Sequence, residues 1–198
     1  MKKQFTIIIL ISILLFSQNL VINKAYGAAT VPLNITVNGS LVITDASNDT
    51  MAGKDPTINV NLSVTPDIGQ TAVSGQANFR IRSNRNAWRL TTQRTTSNTG
   101  TTGLADTDVS VNVSTAAGST ANASAGTLVA PFNAPTTLAS IPQISANVVN
   151  GTAKTSTAKD GTNTNNYFQI NTSYSIQPDF FYTPGTFSTS ITYNLVSP

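Results

Sequence analysis

Three features of this chain predict an all-β fold made of two packed sheets. Short runs alternate apolar and polar residues with a period of two. Thr, Ser, Asn and Gly fill the spaces between those runs, and no stretch of a dozen residues carries a helical period.

The runs appear in order along the chain. "VPLNITVNGSLVIT" (31–44) places Val31, Leu33, Ile35 and Val37 on one face before the turn pair Asn38-Gly39. "TINVNLSV" is the clearest strand, with Ile58, Val60, Leu62 and Val64 on one side and Asn59, Asn61 and Ser63 on the other. "GQANFRIRS" turns Ala77, Phe79 and Ile81 inward and Arg80 and Arg82 outward, and in "AWRLTT" Trp88 shares a parity with Leu90. "DVSVNVS" contributes Val109, Val111 and Val113. "TLVAPF", "IPQISANVV" and "YFQINTSYSI" follow, the first two weakened as strands by Pro131 and Pro142. "GTFSTSITYNLVSP" closes the series with Phe187, Ile191, Tyr193 and Leu195 on one parity. The small-residue segment 114–127 and the polar segment 150–166 read as long loops. Seven to nine strands in one domain predict an immunoglobulin-like β-sandwich.

The N-terminus is set apart from this pattern. Lys2 and Lys3 precede the apolar run Phe5–Phe16, and small residues gather around Ala25, Gly27 and Ala29. That is the layout of a secretory signal peptide (1–27), with an apolar run too short to span a bilayer. The expected organisation is therefore a leader over 1–27, an N-terminal extension over 28–44 and a sandwich domain over 45–198. Lys2, Lys3 and Lys24 fall in the leader, which leaves eight of the eleven basic residues against eight acidic ones. The exported chain is thus formally neutral, which argues against nucleic acid as a partner and lacks the self-repulsion that keeps proteins apart.

Composition also limits the chemistry. There is no Cys, His or Glu, so the fold is not held by disulfides, and Ser-His-Asp catalysis and zinc sites are excluded. No enzymatic activity and no cofactor is expected. Asp45 with Asp49, and Asp106 with Asp108, could offer oxygen to calcium, but neither pair sits in an EF-hand pattern and Asp is an ordinary turn residue, so no metal site is expected. All five Arg lie between residues 80 and 94. If their strands pair, Arg80, Arg82, Arg85 and Arg89 form a stripe able to fork an anionic glycan or surface polymer. The alternative is a solvated face balanced by Asp from elsewhere, or an edge blunted by charge. Trp88, the one Trp, is expected in the core rather than on a sugar-binding surface.

Gly185 followed by alternating Phe187, Ile191, Tyr193 and Leu195, together with the alternating "ATVPLNITV" near the N-terminus, resembles subunits of chaperone–usher pili, in particular their cysteine-free branch. The resemblance covers both ends of the exported chain. It departs from the family at Ser197, where an aromatic residue is usual. It implies an incomplete sandwich whose C-terminal strand lines a groove, filled by Val31, Leu33, Ile35 and Val37 of a neighbouring copy. It further implies a homopolymer at the cell surface, a periplasmic chaperone and an outer-membrane usher. The sequence equally admits a self-contained secreted module that binds a glycan or surface ligand, because strand pairing within and between chains looks the same in sequence.

Overall fold

The computed structural model describes residues 32–100 and 102–198. Among them lie nine strands: β1 (Leu41–Asp45), β2 (Val73–Ser83), β3 (Trp88–Thr99), β4 (Val109–Ala117), β5 (Gly126–Leu128), β6 (Thr136–Thr137), β7 (Ala146–Gly151), β8 (Phe168–Ile176) and β9 (Ser188–Val196). They form two antiparallel sheets, one ordered β1-β2-β8-β4-β6 and the other β5-β7-β3-β9. The all-β sandwich is thus confirmed, at the upper end of the expected strand count.

Period-two patterning does what it should in the central strands. In β2 Ala77, Phe79 and Ile81 are buried, while Arg80 and Arg82 turn to the outer face. β8 buries Phe168, Ile170, Thr172, Tyr174 and Ile176, and β4 buries Val109, Val111 and Val113. Branched and aromatic side chains suit a half-buried pleated surface, so each strand offers one apolar face to the opposite sheet.

Trp88 sits at the centre of this core, fully buried. Its indole packs edge-on to Phe168 at 5.8 Å between ring centroids, and Nε1 donates to the Ala153 carbonyl at 2.8 Å. The ring lies flat against Gly151, its antiparallel partner in β7, where a Cβ would come within 2.1 Å of indole carbons. Only a residue without a side chain leaves that space, so Gly151 and the Trp88 seat are one feature.

The sandwich is sealed on one side. The segment that runs from β5, an edge of one sheet, through β6, an edge of the other, and on toward β7 buries Phe132, Leu138 and Ile141 between the sheets. Backbone bonds fix it, including Ala139 N–H to Asp106 O at 3.2 Å and Arg94 N–H to Pro142 O at 2.8 Å.

Three expectations are corrected. The stretch Ile58–Val64 joins no ladder: its apolar residues are half-buried in alternation, yet among the described residues no backbone hydrogen bond ties it to a sheet. Alternation there records a one-sided apolar face and not strand pairing. Leu41–Thr44, assigned to the N-terminal extension, belong to β1 and pair with β2. The compact unit therefore begins at Asn38 rather than at residue 45. Finally, β2 and β3 fall in opposite sheets, so the arginine-bearing strands do not pair.

Trp88→Ala should cost about 3–5 kcal/mol, the usual range for emptying a large aromatic core site. Urea unfolding of the two proteins measures it; a loss below about 1 kcal/mol would be incompatible with this seat.

Candidate functional site: an open edge and a half-filled core

Opposite the sealed side, the sandwich is bordered by β1 and β9. β9 is the edge strand of its sheet, paired only with β3, through Leu90–Leu195, Thr92–Tyr193 and Arg94–Ile191. β1 lies beside it across the inter-sheet space. The half-buried apolar residues of the protein collect here: Leu41 and Ile43 of β1, Ile58 and Val60, and Phe187, Ile191, Tyr193 and Leu195 at β9, all packed on the core yet partly open to water. Elsewhere, among the described residues, Leu104 and Leu128 share that condition.

Tyr193 anchors this edge. Its ring lies 5.0 Å from Phe79 of β2, and its hydroxyl is 3.1 Å from that of Tyr174. Burial raises the pKa of both phenols, so the pair stays neutral through any physiological pH. The four residues placed by the sequence on a groove wall, Phe187, Ile191, Tyr193 and Leu195, do line one face. Gly185 lies three residues before β9 begins, exposed, and takes no left-handed backbone angle.

Part of the opening is covered by Ile58–Val64. Val60 and Leu62 reach over Gly75 of β2, where a Cβ would meet them at 2.7 and 2.9 Å. Sequence reading missed this cover, because nothing in an alternating pattern distinguishes a laddered strand from a segment laid across a gap.

The N-terminal segment is a separate unit ending at Val37. Its Leu33, Ile35 and Val37 are 81, 76 and 81% exposed. Val31, the fourth residue of that set, lies outside the described residues, as does the leader expected over 1–27.

The arginines do other work. Arg80 and Arg82 both grip Asp49, which comes from the turn after β1: Arg80 Nη1 donates to Oδ2 at 2.8 Å, and Arg82 Nη1 and Nη2 donate to Oδ1 and Oδ2 at 2.7 Å each. Arg80 also stacks over Tyr167 at 3.9 Å and donates Nε to Gln169. Arg82 Nε donates to the Asn163 carbonyl. Both guanidinium groups are thus committed within the fold. Partial burial pushes the Asp49 carboxyl up, but hydrogen bonds from Arg82, Thr44 and Arg80 outweigh it and hold the pKa well below the usual carboxylate range. Arg85 and Arg89 are exposed, in the turn after β2 and at the start of β3. The four therefore make no common stripe. Of the acidic pairs, Asp106 is bonded by Arg94 and Asp108 accepts from the Ala105 amide, so each serves local structure.

No protein-family model matches this chain, and no curated protein matches it in sequence.

Because the folded pKa of Asp49 is depressed, its stabilisation is complete above the unfolded carboxylate value and fades as pH falls through about 4 and below. Asp49→Asn should lower stability at pH 7 by about 1.5–3 kcal/mol, the range for hydrogen bonds to a charged group. It should also flatten the loss of stability below pH 4. Unfolding curves of both proteins across that range check it; parallel pH profiles would remove the ion pair from the account.

Proposed function

We propose that this protein is a non-enzymatic, exported structural subunit that builds a surface filament or extracellular matrix by adding a strand from one copy to the open edge of another. One observation carries the reading: the half-exposed apolar row between β1 and β9 runs beside the edge strand β9, whose one ladder neighbour among the described residues is β3. An open edge next to a half-filled core offers both backbone pairing and apolar pockets to an alternating segment. Residues 31–37 of a neighbour supply such a segment, with Leu33, Ile35 and Val37 already exposed. The cover formed by Ile58–Val64 resists little, because among the described residues no backbone bond to either sheet would break on its displacement.

Connectivity sets the direction of addition. The chain leaves the compact unit at Asn38, whose carbonyl accepts from Asn84 Nδ2 at 2.8 Å, at the end of the sandwich where β9 finishes. A segment extending from that end meets the next copy first where its β9 begins, near Phe187. It therefore runs antiparallel to β9, with Val37 toward Phe187 and Leu33 toward Leu195. Burial of three such side chains contributes about 1.5–3 kcal/mol each before ordering costs. A single copy before assembly would present the same opening to a periplasmic chaperone, and delivery through an outer-membrane usher fits the resemblance.

The triple variant Leu33→Asp, Ile35→Asp, Val37→Asp should abolish concentration-dependent association in sedimentation velocity and leave the melting temperature within about 2 °C, since these side chains are exposed in one copy. Unchanged association would overturn strand addition by this segment. A strictly monomeric wild-type chain would favour a self-contained surface module.

A further inference from the structure

The two ends of the sandwich differ in a way that strand addition alone does not require. At one end the loops 65–72, 100–108 and 177–187 contain Asp67, Asp106, Asp108 and Asp179 and no Lys or Arg. Asp106 is paired with Arg94; the other three have no ion-pair partner among the described residues. The same end presents apolar side chains to water: Ile68 is 94% exposed, Phe180 74% and Phe181 77%.

These rings are held out by structure. The Tyr182 amide donates to the Asp179 carbonyl at 3.2 Å, and the Phe181 amide to Asp179 Oδ1 at 2.7 Å, which closes a turn with both Phe at its centre. The Thr183 amide donates to Thr102 O at 2.9 Å, and Gln177 Nε2 ties the Ile68 loop to this one through Gln70 O at 2.7 Å. Two Phe fixed in place and left in water form a surface with something to cover it.

The opposite end has the reverse character. The turn 84–87, the start of β3 and the loop 152–167 carry Arg85, Arg89, Lys154 and Lys159, all exposed, against the single Asp160. None of these four cations is ion-paired among the described residues. Guanidinium and ammonium groups complement carboxylates and also lie favourably over aromatic faces. One end thus offers what the other accepts.

We propose that copies of this chain stack end to end, the Phe180–Phe181 end of one seated on the Arg85–Lys154 end of the next. This rests on the reading that copies associate, and adds a second contact to it. Contact between two like ends would set Asp67, Asp108 and Asp179 against themselves, so the favoured pairing is heterologous and its repetition yields an open line rather than a closed dimer. The contact also lies where the N-terminal segment leaves one copy for the next, since Asn38 and Arg85 occupy the same end.

The test uses the exported chain from Ala28 in sedimentation velocity, with Phe180→Ser/Phe181→Ser, Arg85→Glu/Lys154→Glu and the Leu33, Ile35, Val37 aspartate variant. Each end variant should melt like the wild type and weaken association roughly tenfold or more. Wild-type association should also fall as salt is raised from about 0.05 to about 0.5 M. Mixed together, the two end variants keep one good end each, so they should form one end contact per pair and associate more than either variant alone but less than the wild type. If both end variants associate like the wild type while the aspartate variant does not, the end contact is overturned and strand addition stands. If the end variants are monomeric while the aspartate variant still stacks, the end contact stands and strand addition falls. If Phe180→Ser/Phe181→Ser assembles normally but is no longer retained by a neutral polysaccharide resin that holds the wild type, the end is a sugar platform and the inference fails. A wild-type chain that stays monomeric overturns both.

Discussion

The contact of Tyr193 with Phe79 and Tyr174 fixes how the last strand lies over the facing sheet, and the asymmetry of the molecule follows from it. Among the described residues β9 has one hydrogen-bonded neighbour strand, β3, which makes it the edge of its sheet. What holds its face down is the ring pair at 5.0 Å and the two phenol oxygens at 3.1 Å, buried and neutral. That single anchor in mid-strand leaves Phe187, Ile191 and Leu195 on either side of it only half covered. A strand on the far side of β9 would complete both the ladder and the core.

The sealed side shows what completion looks like. There the chain crosses from β5 at one sheet edge to β6 at the other and back to β7, and Phe132, Leu138 and Ile141 along that path fill the space. On the open side the segment Pro56–Pro66, which links β1 to β2 of the same sheet, leaves its apolar residues half-buried and, among the described residues, its backbone without bonds to either sheet. The difference is one of energetic commitment. A segment that forms no ladder gains only the burial of one face, and any strand that pairs with β9 adds hydrogen bonds the cover does not supply. Such a cover shields an aggregation-prone edge while leaving it accessible to a better partner.

Much of this architecture was legible in the sequence because period-two alternation reports directly which faces are buried. β2, β3, β4, β8 and β9 were all foreseen by parity, down to Arg80 and Arg82 outside and Trp88 inside. Parity says nothing about partners, and each correction traces to that. Ile58–Val64 alternates as cleanly as any strand but lies across a gap. β2 and β3 follow one another closely, yet the turn 84–87 carries the chain from one sheet to the other, which scattered the expected arginine stripe. Asp49, the residue that binds Arg80 and Arg82, stands 31 and 33 positions away from them in an ordinary-looking turn. β6, with only two residues, carries too little pattern to be read at all.

Charge shows most clearly what composition conceals. Equal numbers of acidic and basic residues beyond residue 27 suggest a surface without electrostatic character. The fold distributes them otherwise. Asp49 and Asp106 are consumed by Arg80, Arg82 and Arg94 in ion pairs within the fold. With those withdrawn, Asp67, Asp108 and Asp179 at one end and the surplus of Arg85, Arg89, Lys154 and Lys159 over Asp160 at the other are separated along the strand direction, a distance of many strand residues at about 3.3 Å each. That separation exceeds the Debye length of about 8 Å at physiological salt, so each end acts on its surroundings as an independent patch rather than as half of a neutral whole. A neutral chain can therefore be sticky in one direction only. On the proposed reading, the lack of net charge removes long-range repulsion between copies, and the segregated ends decide which faces meet.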